Sequence, residues 1–127
     1  MIRVAVGILK RGDKLLVAER PLDKPYSGFW EFPGGKIEAG ESGEAALSRE
    51  LLEELGIAVL KATHLFDHVY TYPDKTVQLE MWLVTEFSGE PQSLENQTFI
   101  WATLDEMKSL RLLEGNIPIV MKLRDVL

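Results

Sequence analysis

Apolar and polar positions alternate at the start of the chain. Ile2, Val4, Val6 and Ile8 are separated by Arg3, Ala5 and Gly7, the period of a half-buried strand. Arg11-Gly12-Asp13 supplies a turn, and Leu15, Leu16 and Val17 within residues 14–18 predict the returning strand of a hairpin. A breaker-rich loop covers residues 21–28, and a short extended piece over 29–32 ends at Pro33-Gly34-Gly35. The period then lengthens. Over residues 42–55, Leu47, Leu51, Leu52 and Leu55 fall on one side of a helix, with Ser42 as N-cap and Gly56 as the stop. Strands are predicted over 57–72, with a break, and over 76–87, joined at Pro73-Asp74-Lys75. A polar loop follows over 88–97 and a short strand over 99–102. A short helix over 103–108 is opened by Thr103 and Glu106 at capping-box spacing, and a last helix over 116–126 carries Pro118 in its first turn. Strands dominate around one central and one terminal helix, so residues 1–127 are expected to form one domain, a mixed α/β sandwich.

Composition narrows the function classes. A 127-residue chain with 46% hydrophobic and 27% charged residues is long enough for a real core and too apolar for disorder. The absence of cysteine excludes a disulfide scaffold, a thiolate metal site and a Cys nucleophile. Met1-Ile2-Arg3-Val4 lacks the apolar run of a signal peptide, and no stretch approaches the ~18 apolar residues of a membrane span, so a cytoplasmic protein with no membrane partner is expected. Its 14 basic and 20 acidic residues leave a net charge of −6, which argues against binding a nucleic-acid backbone. Nothing calls for a partner chain, and a monomer is expected.

The acid is not spread evenly. Between Ile37 and Leu60 stand Glu38, Glu41, Glu44, Glu50, Glu53 and Glu54 against one base, Arg49, so this stretch holds −5 of the −6. On a helix Glu50, Glu53 and Glu54 share one face at i,i+3 and i,i+4 spacing, where like charges repel by a few tenths of a kcal/mol per pair. A solvated helix face is the bland explanation, but such faces normally interleave lysines. Hard oxygen ligands without lysine suit Mg²⁺, or Mn²⁺ in its place, and Mg²⁺ usually shares its coordination sphere with waters and substrate phosphates.

Gly35, five residues, Glu41, seven residues, then Arg49-Glu50-Leu51-Leu52-Glu53-Glu54-Leu55-Gly56-Ile57 resembles the signature of the Nudix hydrolases, complete at each fixed position over 23 residues. The resemblance implies a Nudix-like α/β/α sandwich with a mixed β-sheet, a central catalytic loop-helix and a C-terminal helix. It implies cleavage of a diphosphate linked to another moiety, by attack of water at phosphorus. Glu53 and Glu54 would be principal metal ligands, Glu50 a further ligand or the base for water, and the Gly34 backbone carbonyl another ligand. Arg49 would orient Glu41 or Glu50 through its guanidinium.

Val4-Ala5-Val6-Gly7-Ile8, Phe29 to Glu38, and Trp82-Leu83-Val84 before Gly89-Glu90-Pro91 are similar to the MutT branch of that family. That similarity implies a small-molecule nucleotide substrate, 8-oxo-dGTP above all, cleaved to the monophosphate and pyrophosphate in sanitation of the nucleotide pool. Four residues carry the implication. Asn116 precedes an Ile-Pro and the last helix, where it would read O6 and N7–H of an oxidised guanine; an ordinary N-cap explains it equally well. Phe32 would pack near the base or in the core. Arg20 would reach a phosphate or the 8-oxo edge, or end its strand in solvent. Glu95 would add a metal ligand or base from the polar loop, or stay solvated. The turn departs from the pattern: Lys75 stands where relatives often have Arg, and it loses the planar fork. ADP-ribose, a dinucleoside polyphosphate or a pyrimidine triphosphate are alternative substrates, and a non-catalytic nucleotide-binding module is an alternative of another class. His64 and His68 read as ordinary strand histidines, and Trp30, Trp82 and Trp101 as core.

Overall fold

A computed structural model describes residues 1–127. The first strand, β1 (Ile2–Arg11), is its spine. It runs parallel to β6 (Thr76–Ser88), with Val6 opposite Met81, and antiparallel to β4 (Gly34–Lys36), with Ala5 opposite Gly35. The long β5 (Ala58–Thr71) completes this leaf on the far side of β6. Only the tip of β1 pairs with β2 (Lys14–Glu19), through Lys10–Leu15 and Arg11–Lys14. Beyond that tip the hairpin opens, and β2 becomes the middle of a second leaf between β3 (Trp30–Glu31) and β7 (Thr98–Ala102). The result is a seven-stranded mixed sheet in two leaves.

Helix α1 (Gly43–Leu55) and helix α2 (Ile117–Val126) cover opposite faces. Leu47, Leu51 and Leu55 of α1 are fully buried against Ala5, Leu9, Leu16 and Val84. Each such leucine contributes about 1.5–3 kcal/mol by leaving water. On the other face, Ile119, Val120 and Leu123 of α2 meet Val6, Ile8, Val17 and Met81. The α/β/α sandwich is therefore as expected. No helix is long and apolar enough to cross a membrane.

Several local expectations change. The first strand is not half-buried, because Ala5 to Leu9 are buried without a break. Ala5 and Gly7 sit at the apparently polar phase because α1 lies on them; a Cβ on Gly7 would stand 3.0 Å from Leu51 Cδ1. Leu52 is 56% exposed instead of sharing the buried face of α1. The break expected in β5 is a set of bulges in a continuous strand. The helix expected at 103–108 is a 3-10 turn, Glu106–Ser109, although Thr103 and Glu106 do exchange both capping bonds, at 2.9 and 3.1 Å. The three tryptophans are only partly buried at the edges of the two cores, and the Arg11 guanidinium lies 4.4 Å over Trp101. His64 pairs with Asp67 at 2.7 Å on β5, an ordinary strand contact.

Candidate active site

Local chemistry fixes the ends of α1. Ser42 is extended and its hydroxyl accepts from Ala45 N–H at 3.1 Å, while Gly56 closes the helix in the left-handed region at φ 70°. Between those caps the acidic face turns toward Pro33-Gly34-Gly35. Gly34 has no room for a side chain, since a Cβ would lie 2.0 Å from the Ala5 carbonyl oxygen. Its N–H, turned away from β1, donates to Glu54 Oε2 at 3.1 Å. At Gly35 a Cβ would fall 2.2 Å from the Glu50 carboxyl carbon, so a side chain there would displace that carboxylate. The two glycines thus let two helix carboxylates press against the strand.

Arg49 organises the near side. Its Nε and Nη2 donate to both oxygens of Glu41, at 2.8 and 2.9 Å, its Nη1 to Glu50 at 2.8 Å, and its Nη2 to the Lys36 carbonyl at 3.0 Å. It holds Glu41 and Glu50 together, where the sequence offered one or the other. Glu41, donor-saturated by Arg49, is held down to about 2. Glu53 lies 3.8 Å from the same Arg49 Nη1 that bonds Glu50, with 54% of its side chain exposed.

The far side comes from the loop before β7. Gln97 donates to the Glu54 carbonyl at 3.2 Å and accepts from Glu95 N–H at 3.0 Å. Gln92 and Leu94 N–H bond the carbonyls of Leu55 and Glu54. The loop is therefore pinned to the end of α1, which brings Glu95 to the same cleft as Glu50 and Glu54. The cleft holds about 610 Å³, and charged side chains are prominent in its lining, Arg20, Lys24 and Lys36 among them.

Burial and like charge push Glu54 up to about 9, with Glu50, Glu95 and Glu31 the repelling neighbours. Glu50 is also raised, mainly by burial, with Arg49 opposing. Carboxylates crowded in this way suit a divalent cation, which would replace the proton on Glu54. The side chains do not by themselves close into a group of three metal-ready ligands; that fits Mg²⁺, which completes its sphere with waters and phosphates. The shift fixes a sign. Between the ordinary carboxylate value and about 9, folded Glu54 keeps a proton that the unfolded chain has released. Stability in a chelator therefore falls as pH rises across that window. Thermal melts from pH 5 to 9 should show this decline in the natural sequence and a flatter profile in Glu54→Gln.

A second cavity, of about 250 Å³, adjoins the cleft at Gly34 and Glu54. Its walls include Val4, Phe32, Tyr72, Leu79 and Asn116. Phe32 belongs to the core and to this wall at once. Asn116 stands at the N-cap position of α2 without capping it: it ends a 3-10 turn (Glu114–Asn116) in right-handed helical geometry, its side chain makes no capping bond, and it is 6% exposed. Arg20 is not free in solvent. It donates to Glu31 at 2.8 Å and to the Pro25 carbonyl at 2.6 Å. Glu31 and Gln97 escaped the sequence reading. Glu31, half-buried and raised by desolvation, touches both cavities, and only its place between Trp30 and Phe32 hinted at this.

A family model described as the NUDIX domain matches residues 1–123. The chain is 37% identical over 120 residues to the CTP pyrophosphohydrolase of Escherichia coli K12, covering 94% of this chain and 89% of that protein. It is 36% identical over 125 residues to the 8-oxo-dGTP diphosphatase of the same organism, covering 97% and 96%. The solution structure of the E. coli ORF135 protein superposes with a TM-score of 0.85 at 36% identity, covering 99% of this chain and 92% of that one.

Proposed function

The chain belongs to the Nudix family of hydrolases, and from that membership we propose that it is a Mg²⁺-dependent pyrophosphohydrolase of oxidised purine nucleoside triphosphates, 8-oxo-dGTP first among them, acting in the cytoplasm. The observation that carries this reading is Asn116. Its amide, spent on no cap, is set in the wall of a cavity lined by both apolar and charged side chains that adjoins the acidic cleft. A carboxamide offers a donor and an acceptor side by side, which matches N7–H and O6 of an 8-oxoguanine edge. Phe32 and Leu79 would enclose the base, and the phosphate chain would run past Gly34 into the cleft.

There the triphosphate meets the α1 carboxylates, with Arg20, Lys24 and Lys36 on the rim. Glu50, Glu53, Glu54 and Glu95, with the Gly34 carbonyl, are the groups that would hold the metal. Bound there, a divalent ion supplies charge neutralisation on the phosphoryl oxygens and a lowered pKa for water. Arg49 keeps Glu50 aimed at the cleft, and a facing carboxylate, Glu50 or Glu95, takes the proton of the attacking water. The anhydride between the α- and β-phosphorus breaks, and the monophosphate and pyrophosphate leave.

A second reading, a pyrimidine triphosphate, is favoured by the 37% identity to a CTP pyrophosphohydrolase. Steady-state kinetics on 8-oxo-dGTP, dGTP and CTP separate the two. The purine reading expects kcat/KM for 8-oxo-dGTP to exceed that for CTP by about 10² or more, the selectivity a hydrogen-bonding site gives against a ligand that leaves it unpaired. A higher value for CTP overturns it.

A further inference from the structure

Three tyrosines stand in a row beside the smaller cavity. The ring of Tyr72 lies 5.6 Å from that of Tyr26 and 4.8 Å from that of Tyr70. Their hydroxyls reach two segments of the rim, the β5–β6 turn and the Glu114–Asn116 turn. Tyr26 donates to Asp74 in the β5–β6 turn at 2.8 Å, and Tyr70 donates to Glu114 at 2.9 Å. The Tyr72 hydroxyl accepts from the buried N–H of Gly115 at 2.9 Å.

Gly115 immediately precedes Asn116. The turn that carries them is three residues long, and its Asn116 side chain ties it to nothing by a cap. Its own backbone adds Asn116 N–H to the Leu113 carbonyl at 2.8 Å and the bond from Ile117 N–H to the Glu114 carbonyl, and Leu113 N–H just ahead of it bonds the Trp30 carbonyl at 2.9 Å. Tyr70 and Tyr72 are therefore tertiary fasteners on the two residues ahead of Asn116. The fit at Gly115 is close, since a Cβ would fall 2.5 Å from the Tyr72 hydroxyl oxygen. A phenylalanine at 72 would fill the same space but leave a buried N–H without a partner. Tyr26 supports Tyr72 from the other side, in a left-handed conformation (φ 59°) that a bulky residue adopts only when its surroundings hold it there.

We propose that Tyr72 is a positioning residue for base recognition: its hydroxyl, through Gly115, fixes the turn that aims the Asn116 amide into the cavity. Tyr70 and Tyr26 brace it. The inference rests on the reading of that cavity as the nucleobase site, and it concerns whichever base the site takes.

Tyr72→Phe, Asn116→Ala and the double variant test it on the nucleotide that the natural sequence turns over with the highest kcat/KM. Tyr72→Phe is expected to raise KM about tenfold with kcat within about twofold, the effect of one misaimed hydrogen bond. The double variant is expected to bind no worse than Asn116→Ala alone, because both changes act through one amide. Gly115→Ala, which forces the same contact apart from the other side, is expected to reproduce the KM rise if Tyr72→Phe folds poorly. An unchanged KM in Tyr72→Phe and Gly115→Ala, or penalties that multiply in the double variant, overturns the proposal. The two readings fail separately. A preference for CTP with the coupling intact removes the purine assignment alone, and a preference for 8-oxo-dGTP without the coupling removes the brace alone.

Discussion

Glu54→Gln is expected to lower kcat by about 10²–10⁴-fold while circular dichroism stays unchanged, because the substitution removes charge and little else. Glutamine keeps the volume of Glu54 and can still accept from Gly34 N–H, so the contact that seats the helix on β4 survives. What disappears is the carboxylate that burial and its acidic neighbours push up to about 9, the group best suited to exchange its proton for a divalent cation. Mg²⁺ should therefore raise the melting temperature of the natural sequence and leave Glu54→Gln nearly unmoved, since only a ligand that binds the folded state stabilises it. Glu53→Gln gives the complementary case. Its side chain is 54% exposed and its one charged partner, Arg49, stands at 3.8 Å, so a large loss of turnover there measures metal binding far more than packing. If both variants keep full turnover, the acidic face is a solvated surface.

Arg49→Lys is expected to lower kcat by about 10–100-fold, the usual cost of losing a group that orients ligands. The arginine makes four bonds with one planar group: two to Glu41, one to Glu50 and one to the Lys36 carbonyl. An ammonium keeps the charge but cannot span these partners in that geometry. Glu50 would then turn away from the cleft, and Glu41 would lose the donors that hold it down to about 2. KM should change little, because Arg49 is not part of the cleft wall. A parallel rise in KM and fall in kcat would place Arg49 on the substrate instead.

Helix α1 was legible in the sequence because its determinants are local. Ser42, Gly56 and the leucine spacing act within one or two turns, and the carboxylate spacing follows from helix geometry alone. Long-range pairing was not legible. The small residues Ala5 and Gly7 look like the weak phase of an alternating strand until α1 is laid on them. Gly34 to Lys36 look like the end of an extended piece, yet they form a strand because β1 lies beside them. At the site, Glu50 and Glu54 come from one element and could be grouped in advance. Glu31, Gln97 and Tyr72 come from three others, and each matters through a contact that spacing does not encode: Arg20 to Glu31, Gln97 to the Glu54 carbonyl, Tyr72 to Gly115. Asn116 was ambiguous for the same reason: it stands at the start of α2, but its side chain makes no capping bond and lines the cavity.

Product analysis tests the account most directly. With Mg²⁺ present, 8-oxo-dGTP is predicted to yield 8-oxo-dGMP and pyrophosphate in equal amounts, and to be consumed faster than dGTP at equal concentration. Release of orthophosphate with a nucleoside diphosphate, or equal consumption of the oxidised and normal nucleotides, would contradict it.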